Sequence, residues 1–206
     1  MTDALAVSPR LNTATFQEIQ SWSQAEQRQA LLDLFCELAY QTGEFTLSSG
    51  QRSSYYVNSK RVTLHPQGAL VIGQLFLAQL PPQTEAVGGL TLGADPLVSA
   101  ISVVSAYQNC PIPALIVRKE PKGHGTQAYL EGPLLKPGSQ VVVIEDVVTT
   151  GASALQAVDR LRLAGYRVHH IMALVDRQQG GADLYAGQGL TFQSLFTIAE
   201  IQARIG

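Results

Sequence analysis

Val141-Val142-Val143-Ile144-Glu145-Asp146-Val147-Val148-Thr149-Thr150-Gly151-Ala152-Ser153 is an aliphatic run that passes through two acids into a turn rich in hydroxyls and glycine. Four consecutive Val and Ile residues read as a strand buried on both faces, the kind a parallel sheet contains. After the turn, Ala154, Leu155, Val158, Leu161 and Ala164 recur at helical spacing until Gly165. Strand, turn and helix in this order form half of a βαβ unit, and ligands of such sheets bind at the carboxyl ends of the strands. Glu145 and Asp146 stand at that end. Carboxylates resist desolvation unless something binds them, so the pair implies a partner.

Working outward, Glu85 to Gly88, Ile112 to Val117 and Arg167 to Val175 read as further strands. They alternate with helical segments, which predicts an α/β fold with a central parallel sheet flanked by helices. Asp95-Pro96 reads as an N-cap and first helical residue, opening a helix through Ala106. Ser23-Gln24-Ala25-Glu26 is a capping box ahead of Leu31, Leu32, Phe35, Leu38 and Ala39, a stripe expected to stop at Gly43. Thr197-Ile198-Ala199-Glu200 repeats the box before a short last helix. Residues 1–14 show no apolar periodicity and read as a mobile or loosely packed tail, leaving 15–206 as one domain.

The 206 residues, 46% of them hydrophobic, are enough for one sizeable core. A formal net charge of −2 argues against a nucleic-acid or membrane-surface protein, so any anion site must be local. Cys36 and Cys110 make neither a disulfide framework nor a zinc site and read as buried free thiols. His65, His169 and His170 match no ligand spacing. With no apolar run of about 18 residues and no secretory leader in Met1 to Arg10, a cytoplasmic location is expected.

Thr149 to Ser153 offers hydroxyls and free backbone N–H groups at a helix N-terminus, a setting that favours a bound phosphate. Taken alone, the turn reads as an ordinary strand-to-helix connection with capping hydroxyls. The adjacent acids, for which ribose hydroxyls would be fitting partners, tip the reading toward a phosphate-ribose site. Residues 141 to 153 resemble the signature of the type I phosphoribosyltransferases for phosphoribosyl pyrophosphate (PRPP). The resemblance implies that Glu145 and Asp146 bind the ribose hydroxyls while the loop from Val147 and Val148 through Thr149, Thr150, Gly151, Ala152 and Ser153 holds the 5-phosphate. It also implies a small hood built from N-terminal and C-terminal segments.

Arg118-Lys119-Glu120-Pro121-Lys122-Gly123-His124-Gly125-Thr126 gathers three permanent cations and a His with almost no apolar anchor. It reads as a mobile basic loop, either a solvated turn or, beside a PRPP site, a device for stabilising departing pyrophosphate. Its wording resembles the catalytic loop of the orotate phosphoribosyltransferases within that family. By resemblance, Arg118, Lys119, Lys122 and His124 contact PRPP, with Lys122 and Asp146 central to catalysis. Phe45 to Asn58 resembles the same branch's hood, expected over about 44–60, where Tyr55 and Tyr56 would pack on orotate. Paired aromatics alone read as core or strand residues. Arg177 follows the last buried strand, and the family pattern assigns it with Thr149 to orotate.

The resemblance implies transfer of the phosphoribosyl group of PRPP to orotate, with Mg²⁺ held mainly by PRPP and no dedicated protein cage. It also implies a homodimer whose loop serves the neighbouring site. Many relatives carry Lys at the places of Ser48 and Gly93, so pyrophosphate contacts there must differ. A purine-specific phosphoribosyltransferase and a non-catalytic PRPP sensor are the alternatives. The cationic loop and paired tyrosines speak against the first, and the intact loop with the absence of a basic nucleic-acid face speaks against the second.

Overall fold

The computed structural model describes residues 10–46, 52–122 and 129–205. Helices α1 (Arg10–Thr13), α2 (Phe16–Ser21) and α3 (Gln24–Leu38) precede a hairpin of β1 (Tyr40–Thr46) and β2 (Arg52–Val57). Then come α4 (Lys60–Thr63), α5 (Pro66–Gln79), β3 (Ala86–Leu90), α6 (Asp95–Tyr107), β4 (Ala114–Val117) and β5 (Leu130–Glu131). The chain continues through β6 (Gln140–Val148), α7 (Ala152–Leu163), β7 (Arg167–Asp176), α8 (Gly181–Gly187), β8 (Thr191–Thr197) and α9 (Ile198–Ile205).

The main sheet has the order β5-β4-β3-β6-β7-β8, with β5 antiparallel to β4 and the other pairs parallel. β6 lies inside it, so successive side chains enter opposite cores. Val142 and Ile144 join a cluster with Phe35, Ile72, Phe76 and Leu97, while Val141 and Val143 join Ala157, Val158, Leu161 and Tyr185. This is why the strand is aliphatic at every position rather than at alternate ones. Each fully buried side chain of this size contributes roughly 1.5–3 kcal/mol.

Several local expectations shift. Leu11 is fully buried and Ala14 nearly so, hence residues 10–14 pack on the core instead of trailing from it. The box at Ser23 forms, with Glu26 N donating to Ser23 Oγ (3.3 Å) and Ser23 N to Glu26 Oε2 (2.8 Å). The helix ends at Leu38 rather than Gly43, because Tyr40 and Thr42 pair with Val57 and Tyr55 in the hairpin. Gly43 falls instead at the register shift between Thr42 and Phe45, a common place for a residue without Cβ. Asp95 is already helical, and its Oδ2 accepts from Thr91 Oγ1 (2.8 Å) within the preceding loop rather than capping α6. Cys36 is half-buried, its thiol pushed up to about 11 by burial, whereas Cys110 is exposed. His65 caps α5, Nδ1 accepting from Gly68 N (3.3 Å).

The second capping box forms as read: Glu200 N donates to Thr197 Oγ1 (3.2 Å) and Thr197 N to Glu200 Oε2 (2.8 Å). It starts α9, which is tied to α3 by Arg204 Nε to Asp33 (2.7 Å) and reaches the hairpin through Gln202 Nε2 donating to the Tyr40 hydroxyl (3.3 Å).

Candidate active site

The carboxyl end of β6 runs into a turn whose last residue, Gly151, has φ 91° and caps α7. That left-handed geometry favours glycine, and a Cβ there would lie 2.8 Å from Cε1 of Tyr185. Residues Val147 to Ala154, with Glu145 and Tyr185, enclose a small cavity of about 80 Å³. The N-terminus of α7 opens onto it, directing its dipole at whatever anion enters. The Tyr185 hydroxyl is buried without a hydrogen-bond partner, and burial, then Glu145 and Asp176, push its pKa well up.

Glu145 is only 6% exposed. Its Oε1 accepts from Asp146 N (3.2 Å), while Oε2 is buried with no partner. Burial first, and the neighbouring Asp146 second, hold its carboxyl well above the usual range. Asp146 is better served: Oδ1 accepts from Val147 N (3.0 Å), and Oδ2 accepts from Ser59 Oγ (2.6 Å) and stands 3.5 Å from Lys60 Nζ. The two acids share a wider cavity of about 440 Å³ with Ser153, Lys60, Lys119 and the β3–α6 loop from Leu90 to Gly93. Gly93 packs so tightly on Asp146 that a Cβ would sit 2.4 Å from Oδ1.

The cationic segment leaves β4 beside this cavity. Arg118 Nη1 lies 3.2 Å and Lys122 Nζ 3.4 Å from the same Glu131 oxygen, so both are paired with an acid of β5 rather than with Glu145 or Asp146. Lys119 alone of the three lines the cavity. Arg160 of α7 donates to the carbonyls of Arg118 and Lys119 and lies 4.2 Å over the Tyr129 ring, fixing the loop's base. His124 lies outside the described residues.

The hairpin brings Tyr55 to Arg177. Arg177 Nε donates to the Tyr55 hydroxyl (3.1 Å), its guanidinium carbon lies 4.7 Å from the ring centroid, and Tyr40 stacks on that ring at 5.5 Å. Arg177 is buried, yet its Nη2 has no partner. Its backbone N–H donates to Val148 O (2.9 Å), which sets it beside Thr149. Tyr56, one residue along β2, faces the other way, 41% exposed and against Phe45. The structure thus joins Tyr55, Arg177 and Thr149 but not Tyr56.

Sequence reasoning passed over Ser59, Lys60, Glu131 and Tyr185. Lys60 stands close behind the hood tyrosines, and that nearness was its signal; the other three are ordinary residues placed by tertiary packing. Among the described residues, no group of three or more His, Cys, Asp or Glu side chains could hold a metal ion by itself.

The fold defines the class first: this is the architecture of the type I phosphoribosyltransferases. At 16% identity the chain still matches the adenine phosphoribosyltransferase of Leishmania donovani with a TM-score of 0.59 over 82% of this chain and 80% of that one, a likeness of fold alone. Other likenesses are more specific. The chain is 66% identical to the orotate phosphoribosyltransferase of Nostoc sp. over 86% of each protein. It is 64% identical to that of Synechocystis sp. over 86% of this chain and 90% of the relative. The Mycobacterium tuberculosis orotate phosphoribosyltransferase solved in complex with PRPP matches at 35% identity and TM-score 0.70, over 85% of this chain and 99% of that one. No protein-family model matches the sequence. The chain belongs to the orotate phosphoribosyltransferase family.

Proposed function

We propose that the chain transfers the 5-phosphoribosyl group of PRPP to orotate, yielding orotidine 5'-monophosphate and pyrophosphate for pyrimidine synthesis. The observation that carries this reading is a pair of cavities that share Glu145 and Ser153 as lining residues, one walled by the α7 turn and one by the acids and Lys119. A phosphate in the first leaves the ribose hydroxyls facing Glu145 and Asp146. Pyrophosphate then points into the second, which Lys119 lines. Orotate stacks by Tyr55, with the partnerless Nη2 of Arg177 and the Thr149 hydroxyl as its hydrogen-bond donors, while Tyr56 lends its ring only through movement of the hairpin.

Displacement at the anomeric carbon builds positive charge on the ribose and negative charge on the leaving group. The chain's residues chiefly align the reactants, a contribution of roughly 7–11 kcal/mol in favourable cases. Orotate bound as its N1 anion needs no strong base from the protein. The buried carboxyl oxygen of Glu145 and the oxygens of Asp146 are hard donors suited to ribose hydroxyls and to a Mg²⁺ carried by PRPP. A Mg²⁺ so held would supply charge neutralisation for the leaving pyrophosphate.

The working unit we propose is one catalytic domain that includes the core-packed residues 10–14, paired as a homodimer whose cationic loop serves the neighbouring site. Leu64 and Val103 are exposed and line an apolar groove between α4, α5 and α6, a surface that supports pairing. None of the helices is long and apolar enough to cross a membrane among the described residues, and we place the enzyme in the cytoplasm. Spectrophotometric loss of orotate should require both PRPP and Mg²⁺. Comparable turnover of adenine, hypoxanthine or guanine would overturn the assignment.

A further inference from the structure

We infer that Lys60 is a pyrophosphate-binding residue, the fixed cation of the larger cavity. This rests on reading that cavity as the PRPP site. Lys60 opens α4 directly after the hood hairpin, and its backbone is pinned from both sides. Asn58 N donates to Ala39 O (2.8 Å), Ser59 Oγ donates to Asp146 Oδ2 (2.6 Å), and Val62 and Thr63 are buried. The side chain is 46% exposed and lines the cavity.

Its ammonium is only lightly engaged. Ser59 takes the short hydrogen bond to Asp146 Oδ2, and Lys60 Nζ stands off the same oxygen at 3.5 Å. An ammonium has three N–H donors, so this one long ion pair leaves capacity for a ligand anion. The opposite wall cannot supply a cation. From Leu90 to Asp95 it contains no Lys or Arg, and at Gly93 Asp146 already fills the space where a side chain would begin.

Of the cations near the cavity among the described residues, Arg118 and Lys122 are paired with Glu131. That leaves Lys60 and Lys119 lining a cavity that also holds Glu145 and Asp146. A multiply charged pyrophosphate needs fixed positive charge to settle beside two acids. Lys119 belongs to the loop, whereas Lys60 is anchored to the sheet through Ser59 and Asp146, so it holds its place whatever the loop does.

The test separates pyrophosphate from ribose. Calorimetric affinities for pyrophosphate, PRPP and ribose 5-phosphate, each with Mg²⁺, are measured on full-length wild type, Lys60→Ala and Lys60→Arg. Lys60→Ala should weaken pyrophosphate and PRPP at least roughly tenfold, the scale of one lost charge-assisted hydrogen bond. Ribose 5-phosphate should stay within about twofold of wild type, and Lys60→Arg should recover most of the loss. Equal weakening of ribose 5-phosphate would mean that Lys60 merely orders Asp146, and unchanged pyrophosphate affinity would mean no role; either overturns the inference. A wild type that binds neither pyrophosphate nor PRPP overturns the reading of the cavity along with it.

Discussion

Gly93→Ala adds one methyl group at the most crowded point of the proposed ribose site. The new Cβ falls 2.4 Å from Asp146 Oδ1 and 2.8 Å from its Cγ, well inside the roughly 3.5–4.0 Å of a comfortable contact. The backbone at Gly93 lies outside the left-handed region, so alanine brings crowding without conformational strain. Either the carboxylate turns or the loop retreats. Turning it endangers the bonds from Ser59 Oγ (2.6 Å) and Val147 N (3.0 Å) that aim Asp146. A hydrogen bond to a charged group is worth about 1.5–3 kcal/mol, so mis-aiming the carboxylate should weaken PRPP roughly ten- to a hundredfold. Calorimetric PRPP titration with Mg²⁺ measures this, with thermal unfolding as the control for folding. Asp146→Asn added to Gly93→Ala should cost less than the sum of the single effects, because both act on one side chain. PRPP affinity within twofold of wild type, or strict additivity in the double variant, would refute the claim that Gly93 is small in order to seat Asp146.

Arg177→Lys should raise KM for orotate about tenfold and leave PRPP affinity unchanged, since an ammonium cannot both reach Tyr55 and present a second planar donor; equal losses for both substrates would count against an orotate role. Glu145 has a folded pKa raised above the ordinary 4.5, so its contribution is fully present below that value and is lost as pH climbs toward the raised folded pKa. Glu145→Gln should therefore gain stability over wild type as pH rises from about 4.5 to neutrality while losing PRPP affinity, and denaturation curves that stay parallel with pH would contradict this. Lys122 is 72% exposed and its pair with Glu131 is a surface one, so Lys122→Ala should leave folding unchanged. It should instead lower kcat by a factor corresponding to about 2.7–4 kcal/mol, as single-turnover kinetics would reveal. Mixing Lys122→Ala with Asp146→Asn under subunit exchange should restore part of the activity, and a verified heterodimer without recovery would return the loop to its own subunit.

What could be read from the chain depended on whether burial alone determined it. The β6 run was legible because both of its faces are covered, which leaves only aliphatic residues tolerable from Val141 to Ile144. β8 was not read, although Thr191 to Thr197 alternates in burial until Leu195, because an edge strand needs apolar residues on fewer positions. The apolar pattern overextends α3 for a related reason. Tyr40 continues the apolar stripe of α3, and only its pairing with Val57, distant in sequence, assigns it to a strand.

The site divides along the same line. Glu145, Asp146 and the Thr149 to Ser153 turn are contiguous, so one strand-turn-helix unit positions them all and local reading found them together. Tyr55 and Tyr56 are contiguous too, yet strand alternation sends one to Arg177 and the other toward Phe45, and the phase of that alternation is set by pairing with β1. Lys60 is the extreme case. Its chemistry depends on Asp146, 86 positions away, and on the absence of a side chain at Gly93, relationships that no spacing along the chain encodes. Residues that act through a distant carboxylate become visible only when the sheet has brought that carboxylate to them, and it is there that the cavity's positive charge is found.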